Sequence, residues 1–206
     1  MQKLKSMKIY NTLKYLVLGS GSPRRKELLS SVGLQFKVKP ATCEEPPARK
    51  GQLPEDYAIE MALMKARNVA SLESQATVIG ADTIVARDMD ILGKPHSKAD
   101  AIETLKSLCG RSHKVITGCA IITEDNKEIS FAVTTEVEFI DCEEAAIKAY
   151  VATGEPDDKA GSYGIQGQGA FLVKGICGSY TNVVGLPLAR VIEVLIETEA
   201  VVAGNE

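Results

Sequence analysis

Four short motifs carry residue types that could bind a chain of phosphates. The first, GSGSPRR at residues 19–25, joins an apolar run to a stretch typical of a helix. Backbone N–H groups at a helix N-terminus bind anions, and arginine makes forked contacts to phosphate oxygens. The candidate ligands are the hydroxyls of Ser20 and Ser22 and the guanidinium groups of Arg24 and Arg25. A capped helix with two solvated arginines would leave the same pattern, so this motif alone does not decide function.

Two well-known phosphate-binding loops do not fit this motif. A Walker A loop needs lysine and then serine or threonine after its last glycine, but Ser-Pro-Arg follows Gly21. A dinucleotide-binding fingerprint needs a third glycine where this chain has Arg24. A Gly-x-Gly-x-x-Arg loop of the kind found in sugar-nucleotide transferases does fit. A nucleotidyltransferase is therefore an alternative function.

A carboxylate follows in the sequence GADT, residues 80–83, between two strand-like runs. An aspartate at the end of a buried strand costs free energy unless it is paired, hydrogen-bonded or bound to metal. Asp82 could hold a hard divalent cation or orient a water for attack on phosphorus, although an aspartate that caps a turn would look the same. Glu44 and Glu45 could supply a second carboxylate, or they could be surface charges.

Two further motifs could contact other parts of a nucleotide. Lys94 stands between glycine and proline in a turn that suits a fixed charge aimed at phosphate, although a lone loop lysine is usually solvated. In GSYGIQG, residues 161–167, the glycines allow close backbone approach to a ligand. Tyr163 offers a ring face for stacking, and Gln166 could hydrogen-bond a base or position a water. A structural loop rich in glycine is the alternative.

Strands and helices must bring these motifs together. Ser22 as N-cap, Pro23 at the first helical position and Gly33 after the end predict the helix that follows the first motif. The Pro- and charge-rich residues 43–54 predict a loop. Periodicity predicts strands at residues 15–19, 36–40, 77–80, 84–86, 91–92, 113–123, 128–139 and 171–173. It predicts further helices at residues 54–71, 98–109, 142–151 with Asp141 as N-cap, and 187–199.

This order of elements predicts an α/β fold: a mixed β-sheet flanked by helices and bent around a cleft. A chain of 206 residues fits one domain, divided at most into two lobes. We expect an N-terminal extension at residues 1–14, a single catalytic domain at residues 15–199, and a C-terminal tail at residues 200–206.

Composition narrows the function classes. A net charge of −3 gives no basic field for nucleic acid or an anionic membrane, so any phosphate-binding charge must be local. Five cysteines without a CxxC pair, and only two histidines, predict neither a disulfide framework nor a zinc site. No apolar run approaches the roughly 20 residues needed to cross a bilayer. We therefore expect a cytoplasmic protein with no nucleic-acid or membrane partner.

The motifs occur along the chain in the order SGSPRRKELL, EE, LMKA, GADT, LGKP, GRSHKVITG, TGEPDDKAGSYGIQG and SYTNVVGLPL. From about Leu16 to Ile196 this series closely resembles the Maf family of nucleotide pyrophosphatases, also described as septum-formation inhibitor-like proteins. The resemblance implies an extended mixed sheet with two lobes around a deep cleft, similar to inosine triphosphate pyrophosphatases. It also implies hydrolysis between the α and β phosphates of a nucleoside triphosphate, a divalent metal, and a homodimer.

The resemblance assigns roles to individual residues. Asp82 would be the central catalytic carboxylate, and with Glu45 it would hold Mg²⁺ or Mn²⁺. The CEEPP context leaves the choice between Glu44 and Glu45 open. The expected catalytic set is Asp82, Lys94, Arg25 and Lys65, and the expected substrate-binding set is Ser20, Ser22, Arg24, Tyr163 and Gln166.

The segment DKAGSYGIQG resembles the branch of the family that acts on dTTP and UTP. A house-cleaning enzyme that removes modified nucleotides would use the same chemistry. A regulator of cell division that binds nucleotides without hydrolysing them is the second alternative, because the family name records such a role.

Overall fold

The computed structural model describes residues 8–204. Its strands are β1 (Tyr10–Thr12), β2 (Leu16–Leu18), β3 (Lys37–Val38), β4 (Thr77–Arg87), β5 (Asp90–Leu92), β6 (Ser112–Ile122), β7 (Glu128–Phe139), β8 (Val173–Cys177) and β9 (Val201–Ala203). Its α-helices are α1 (Pro23–Ser31), α2 (Pro54–Ala70), α3 (Lys98–Leu108), α4 (Glu144–Ala152), α5 (Tyr180–Val184) and α6 (Leu188–Glu197). Short 3₁₀ helices at Glu155–Asp158, Ala160–Ser162 and Gln168–Leu172 connect α4 to β8.

One mixed sheet has the strand order β3-β2-β4-β6-β7-β8, with β5 beside the second half of β4. Strand β2 is parallel to β3 and β4, whereas the pairs β4–β6, β6–β7 and β7–β8 are antiparallel. The helices pack on both faces of this sheet. The predicted α/β fold with a mixed sheet is thereby confirmed.

Strand β4 has a free edge in its middle. On the side away from β6, β2 pairs with Thr77 to Ile79, and β5 pairs with Val85 to Arg87. Among residues 8–204, no strand pairs with residues 80–84 on that side. The edge that carries the GADT tetrapeptide is therefore open between two lobes of the sheet.

Side-chain alternation along β4 divides the core between the two sheet faces. Ile79 and Ala81 pack under α1 and α6, whereas Val85 packs under α3 and α4 at the other end of the same face. Helix α2 covers the opposite face, with Ala66 against Val78. Two groups of helices therefore cover the two ends of one face, which forms the two lobes.

Two glycines let α2 lie directly on the sheet. A Cβ atom on Gly80 would lie 2.6 Å from the Ala62 carbonyl oxygen, and one on Gly118 would overlap the Ala58 backbone. Such overlap would push the helix away from β4 and β6. Because α2 also carries Lys65, these two glycines set the distance between Lys65 and the sheet.

Several predicted boundaries differ from the structure. The two strands predicted on either side of Asp82 are one continuous strand, because ladder pairing with β6 keeps Asp82 opposite Gly118 in extended backbone. The helix predicted from Asp141 begins at Glu144, since the chain as far as Ile140 is still bonded to Leu172. The strand predicted at residues 171–173 lies at Val173–Cys177, and a 3₁₀ helix precedes it.

Both ends of the described chain pack against the core. Strand β1, within the predicted extension, pairs antiparallel with β9, within the predicted tail. Ala200 and Val201 are buried beside α6. Parts of both end segments are therefore ordered structure. No helix within residues 8–204 combines the length and apolar character needed to cross a membrane.

Candidate active site

A cleft with a volume of ≈ 1070 Å³ lies beside the free edge of β4, between the two lobes. Every residue that the sequence predicted for the site lines it: Ser20, Ser22, Arg24, Arg25, Glu45, Lys65, Asp82, Lys94, Tyr163 and Gln166. These residues come from β4, α1, α2 and four loops. The fold therefore brings together residues as far apart in the chain as Ser20 and Gln166, which are separated by 146 positions (166 − 20).

Lys65 joins the two candidate metal-binding carboxylates. Its Nζ lies 2.7 Å from Asp82 Oδ1 and 2.8 Å from Glu45 Oε1. Asp82 is nearly buried in the middle of β4, and Lys65 reaches it from α2. A buried carboxylate needs such a partner. Of the two glutamates that the sequence left open, Glu45 makes the contact with Lys65.

These carboxylates fit a divalent cation that also binds substrate. Lys65 contacts Oδ1 of Asp82 and Oε1 of Glu45, and Oδ2 and Oε2 have no partner among residues 8–204. That range contains no group of three or more His, Cys, Asp or Glu side chains able to hold a metal. Mg²⁺ commonly takes one or two carboxylates and completes its shell with waters and substrate phosphates. Asp82 and Glu45 match that arrangement.

The guanidinium of Arg25 is held by four hydrogen bonds. Nε donates to the Gly185 carbonyl at 2.7 Å, and Nη2 donates to Thr83 Oγ1 at 2.9 Å. Nη1 donates to Ser20 Oγ at 3.0 Å and to the Ala81 carbonyl at 2.9 Å. Burial lowers the pKa of Arg25, and the charge of Asp82 acts in the opposite direction. An arginine side chain stays protonated in proteins, so Arg25 is a fixed positive charge beneath the cleft.

This arrangement corrects one expectation for Arg25. A guanidinium has five N–H donors, and acceptors of the protein already use four of them. A forked contact to phosphate would need two free donors. Arg24 lines the cleft and makes no hydrogen bond or ion pair with another residue of the described range. Arg24 is therefore the arginine whose fork is free.

The N-terminus of α1 faces the cleft beside these arginines. Pro23 occupies the first turn, as predicted, but the Ser22 side chain makes no capping hydrogen bond. Instead the Ser22 N–H donates to Ser20 Oγ at 3.3 Å. Among the described residues, the Ser22 hydroxyl is therefore uncommitted, and it lies where the helix dipole favours an anion.

Lys94 borders the cleft from the loop after β5. Its side chain is exposed, and the neighbouring Gly93 carbonyl accepts a hydrogen bond from the Gly161 N–H at 3.1 Å. That bond ties the Lys94 turn to the glycine-rich segment. Gln166 lies on the same segment with its side chain exposed to the cleft.

Tyr163 differs from the prediction. Its ring is 6% exposed and makes edge-to-face contacts with His113 and Phe139. Its hydroxyl lies 2.8 Å from His113 Nε2. Because the ring is part of the core between β6 and α3, it has no open face on which a base could stack. The burial of the ring does not favour the stacking role expected for Tyr163, although the residue borders the cleft.

The sequence motifs did not reveal the residues that hold Arg25. Thr83 follows Asp82 in the GADT motif, and its hydroxyl also lies 2.9 Å from Thr117 Oγ1. The Gly185 carbonyl comes from the SYTNVVGLPL motif. Both residues lie inside sequence motifs. Their contacts with Arg25, however, join positions 58 and 160 residues apart, which no local pattern reveals.

The sequence is similar to that of several bacterial proteins over most of its length. A protein named dTTP/UTP pyrophosphatase from Nitratidesulfovibrio vulgaris is 47% identical over 186 residues, which cover 90% of this chain and 89% of that protein. The protein of the same name from Syntrophotalea carbinolica is 49% identical, covering 87% of this chain and 83% of its own. The one from Bacillus anthracis is 48% identical, covering 89% and 95%.

The fold is also similar to a solved structure. The Staphylococcus aureus Ham1 protein superposes with a TM-score of 0.51 at 15% identity, over 90% of this chain and 100% of that one. At that identity the likeness concerns the fold alone. The family model described as Maf-like protein matches residues 15–198. Together with relatives of 47–49% identity, this match shows that the chain belongs to the Maf family.

Proposed function

We propose that this chain is a nucleoside triphosphate pyrophosphatase that hydrolyses dTTP and UTP to the nucleoside monophosphate and pyrophosphate. The observation that carries the proposal is the cluster of Asp82, Lys65 and Glu45 at the free edge of β4, which lines one cleft together with the arginine loop. The names of the relatives at 47–49% identity supply the substrates.

The cationic groups of the cleft would bind the triphosphate. Lys65 has three N–H donors and uses two for Asp82 and Glu45, so one is free for a phosphate oxygen. Arg24 would supply a forked contact, and Lys94, which also lines the cleft, would supply a further positive charge. Arg25 would stabilise the charge that develops in the transition state without moving.

The reaction itself would be attack of water on the α-phosphorus. Asp82 would orient this water and take up its proton as the water oxygen bonds to the α-phosphorus. The bond from the α-phosphorus to the α–β bridging oxygen would break, and pyrophosphate would leave with that oxygen toward the lysines. Asp82 and Glu45 would hold Mg²⁺ or Mn²⁺ through Oδ2 and Oε2, and such an ion would stabilise negative charge on the phosphate oxygens. Gln166 would contact the base or the water.

Other properties of the proposed enzyme rest on the sequence and on the family. We propose that it works in the cytoplasm, binds a small-molecule nucleotide and neither nucleic acid nor membrane, and forms a homodimer. A house-cleaning role would make modified pyrimidine nucleotides substrates as well. Light scattering during gel filtration would test the dimer, since a monomer mass at micromolar concentration would contradict it.

The activity is tested with a panel of canonical and modified nucleoside triphosphates, each with Mg²⁺, with Mn²⁺ and with a chelator. We expect pyrophosphate and the monophosphate from dTTP and UTP, with little product from purine nucleotides and none with the chelator. Release of pyrophosphate without any acceptor separates hydrolysis from nucleotidyl transfer. Binding of dTTP without hydrolysis would instead support the regulator of cell division.

Asp82→Asn keeps the shape of the side chain and removes its charge. We expect kcat to fall by roughly 10³-fold or more, because both the cation site and the water contact depend on the carboxylate. The matched control is Asp90→Asn, an exposed aspartate on β5 that pairs with Arg87, and it should keep wild-type activity. Circular dichroism would verify folding, and a fully active Asp82→Asn protein would exclude the proposed role.

A further inference from the structure

The half-buried carboxylate of Glu155 holds the glycine-rich loop of the cleft. Glu155 lies in the 3₁₀ helix after α4. Its side chain accepts hydrogen bonds from two consecutive backbone N–H groups, those of Gln168 at 2.8 Å and Gly169 at 3.1 Å. The first bond goes to Oε2 and the second to Oε1. Both amides belong to the end of the loop at residues 164–169, so one side chain fixes the point where this loop rejoins the fold.

Tyr150 of α4 completes this contact. Its hydroxyl donates to Glu155 Oε1 at 3.0 Å and accepts from the Gly164 N–H at 3.2 Å. Tyr150 is almost fully buried. The start of the loop is therefore tied to the Tyr150 hydroxyl and its end to the Glu155 carboxylate, and these two groups are bonded to each other.

Two glycines of the loop stand at positions where a side chain would collide with Glu155 or with Lys159. A Cβ on Gly167 would overlap the Glu155 carboxylate, and a Cβ on Gly164 would lie 2.8 Å from Lys159 Cε. Lys159 in turn donates to the Glu155 carbonyl at 2.5 Å. The backbone of the loop is packed directly on these side chains, so its shape depends on them.

The loop forms one wall of the cleft, on which Ile165 and Gln166 are presented. Glu155 also borders the cleft, where an unpaired carboxylate would repel a triphosphate. Burial raises the pKa of Glu155, but the amide bonds from Gln168 and Gly169 and the Tyr150 bond outweigh it, so the net pKa is lower than usual. The carboxylate is thus charged and already occupied by donors of the protein, which suits a structural anchor.

We propose that Glu155 and Tyr150 are positioning residues that hold the loop at residues 164–169 in the shape that receives the nucleoside part of the substrate. This inference rests on the proposed pyrophosphatase function. The phosphate-binding groups, Arg24, Lys65 and Lys94, belong to other elements and do not contact either residue. Loss of the anchor should therefore weaken recognition of the nucleoside and leave the phosphate end intact.

The test compares Glu155→Gln and Tyr150→Phe with the wild-type protein. Glu155→Gln keeps the size of the side chain but cannot accept both amide bonds, and Tyr150→Phe removes the hydroxyl alone. We expect KM for dTTP to rise about tenfold with kcat lowered less than about threefold, because the loop loses charge-assisted hydrogen bonds that order it before binding. Hydrogen exchange at the Gln168 and Gly169 amides should become faster in both variants.

Two controls separate loop positioning from a general loss of structure. The dissociation constant of inorganic pyrophosphate, measured by calorimetry, should change less than about twofold, because that ligand needs only the phosphate-binding groups. Glu144 lies on α4, the helix that carries Tyr150, and its carboxylate pairs with Lys148 outside the cleft, so Glu144→Gln should keep the wild-type KM.

The possible failures are distinguishable. If the wild-type protein releases no pyrophosphate from any nucleotide, the proposed function fails and this inference fails with it. If the wild type is active but both folded variants keep its KM, only the inference is overturned. It is equally overturned if pyrophosphate binding weakens as much as dTTP binding, since the anchor would then support the whole site.

Discussion

Arg25 and Lys65 use their hydrogen-bond donors differently. Arg25 commits four donors to Gly185, Ser20, Ala81 and Thr83 before any nucleotide binds. Lys65 commits two to carboxylates and keeps one. A charge fixed in advance need not reorganise when the transition state forms, so a rigid Arg25 is suited to stabilise that state. Lys65 is suited to contact the substrate directly.

His113 gives the folded protein a specific dependence on pH. Burial lowers the pKa of His113 from 6.5 to about 4. Between these values the unfolded chain binds a proton that the folded protein does not, so the free energy of unfolding decreases as the pH falls from 6.5 to 4. Protonation of His113 in the unfolded chain lowers the free energy of unfolding by at most about 3 kcal/mol. Urea unfolding at several pH values, compared between wild type and His113→Gln, measures it.

Tyr163→Phe is the control for this prediction. It removes the hydroxyl bonded to His113 but leaves the ring buried among the same neighbours, so the pH dependence should persist. Parallel curves for wild type and His113→Gln over this pH range would show that burial does not determine the proton affinity of His113.

At the scale of elements, the contact between α2 and the sheet depends on Gly118. A Cβ there would overlap the Ala58 backbone, so Gly118→Ala must displace the helix. We expect the free energy of unfolding to fall by about 2–3 kcal/mol. Turnover should fall as well, because α2 carries Lys65. Chemical denaturation and pyrophosphate release measure the two effects.

Gly175→Ala on β8 is the matched control, because a Cβ at that position would meet no atom within 4 Å. It should change stability by less than about 0.5 kcal/mol. If the two alanine variants were equally stable, the close approach of α2 to the sheet would not be set by the missing Cβ atom.

Short-range patterns predicted the elements and the chemical groups well. Pro23 and Ser97 mark helix starts where the structure has them, and the long hairpin of β6 and β7 follows from alternation of apolar residues. The sequence predicts two strands on either side of Asp82 because polar residues interrupt the apolar pattern there. Its continuity comes from ladder pairing with β6, whose residues lie between 28 (Ala86 with Lys114) and 44 (Val78 with Ile122) positions from their partners and leave no local signal.

The same reason accounts for Tyr163 and Arg25, which line the cleft as expected but whose contacts the sequence does not predict. Whether Tyr163 faces the cleft or the core depends on His113 and Phe139, which come from β6 and β7. Likewise, the donors of Arg25 are occupied by groups from β4 and the α5–α6 connection. Residue type shows which chemistry a side chain can perform, but its free donors and open faces depend on neighbours distant in sequence.

At the scale of the whole molecule, the two ends of the described chain, β1 and β9, pack against the lobe that α1 and α6 cover. Val201 pairs with Thr12 and is 2% exposed, whereas Val202 beside it is 45% exposed. We expect Val201→Ala to lower the free energy of unfolding by about 2 kcal/mol through the cavity that it leaves. Val202→Ala should change it by less than about 0.5 kcal/mol. Thermal and urea unfolding would compare them, and equal effects would show that β9 adds nothing to the core.

The continuity of β4 and β6 limits how the protein can respond to its ligand. The two strands are paired from Val78 with Ile122 to Ala86 with Lys114, so both lobes share one ladder that passes under the cleft. Hinge closure, in which two rigid bodies rotate about a few backbone bonds, would have to bend or twist that ladder. We therefore expect entry and release of a nucleotide to depend on segments that border the cleft, such as the loop that carries Glu45 and residues 164–167, more than on a change in the pairing of the strands beneath it.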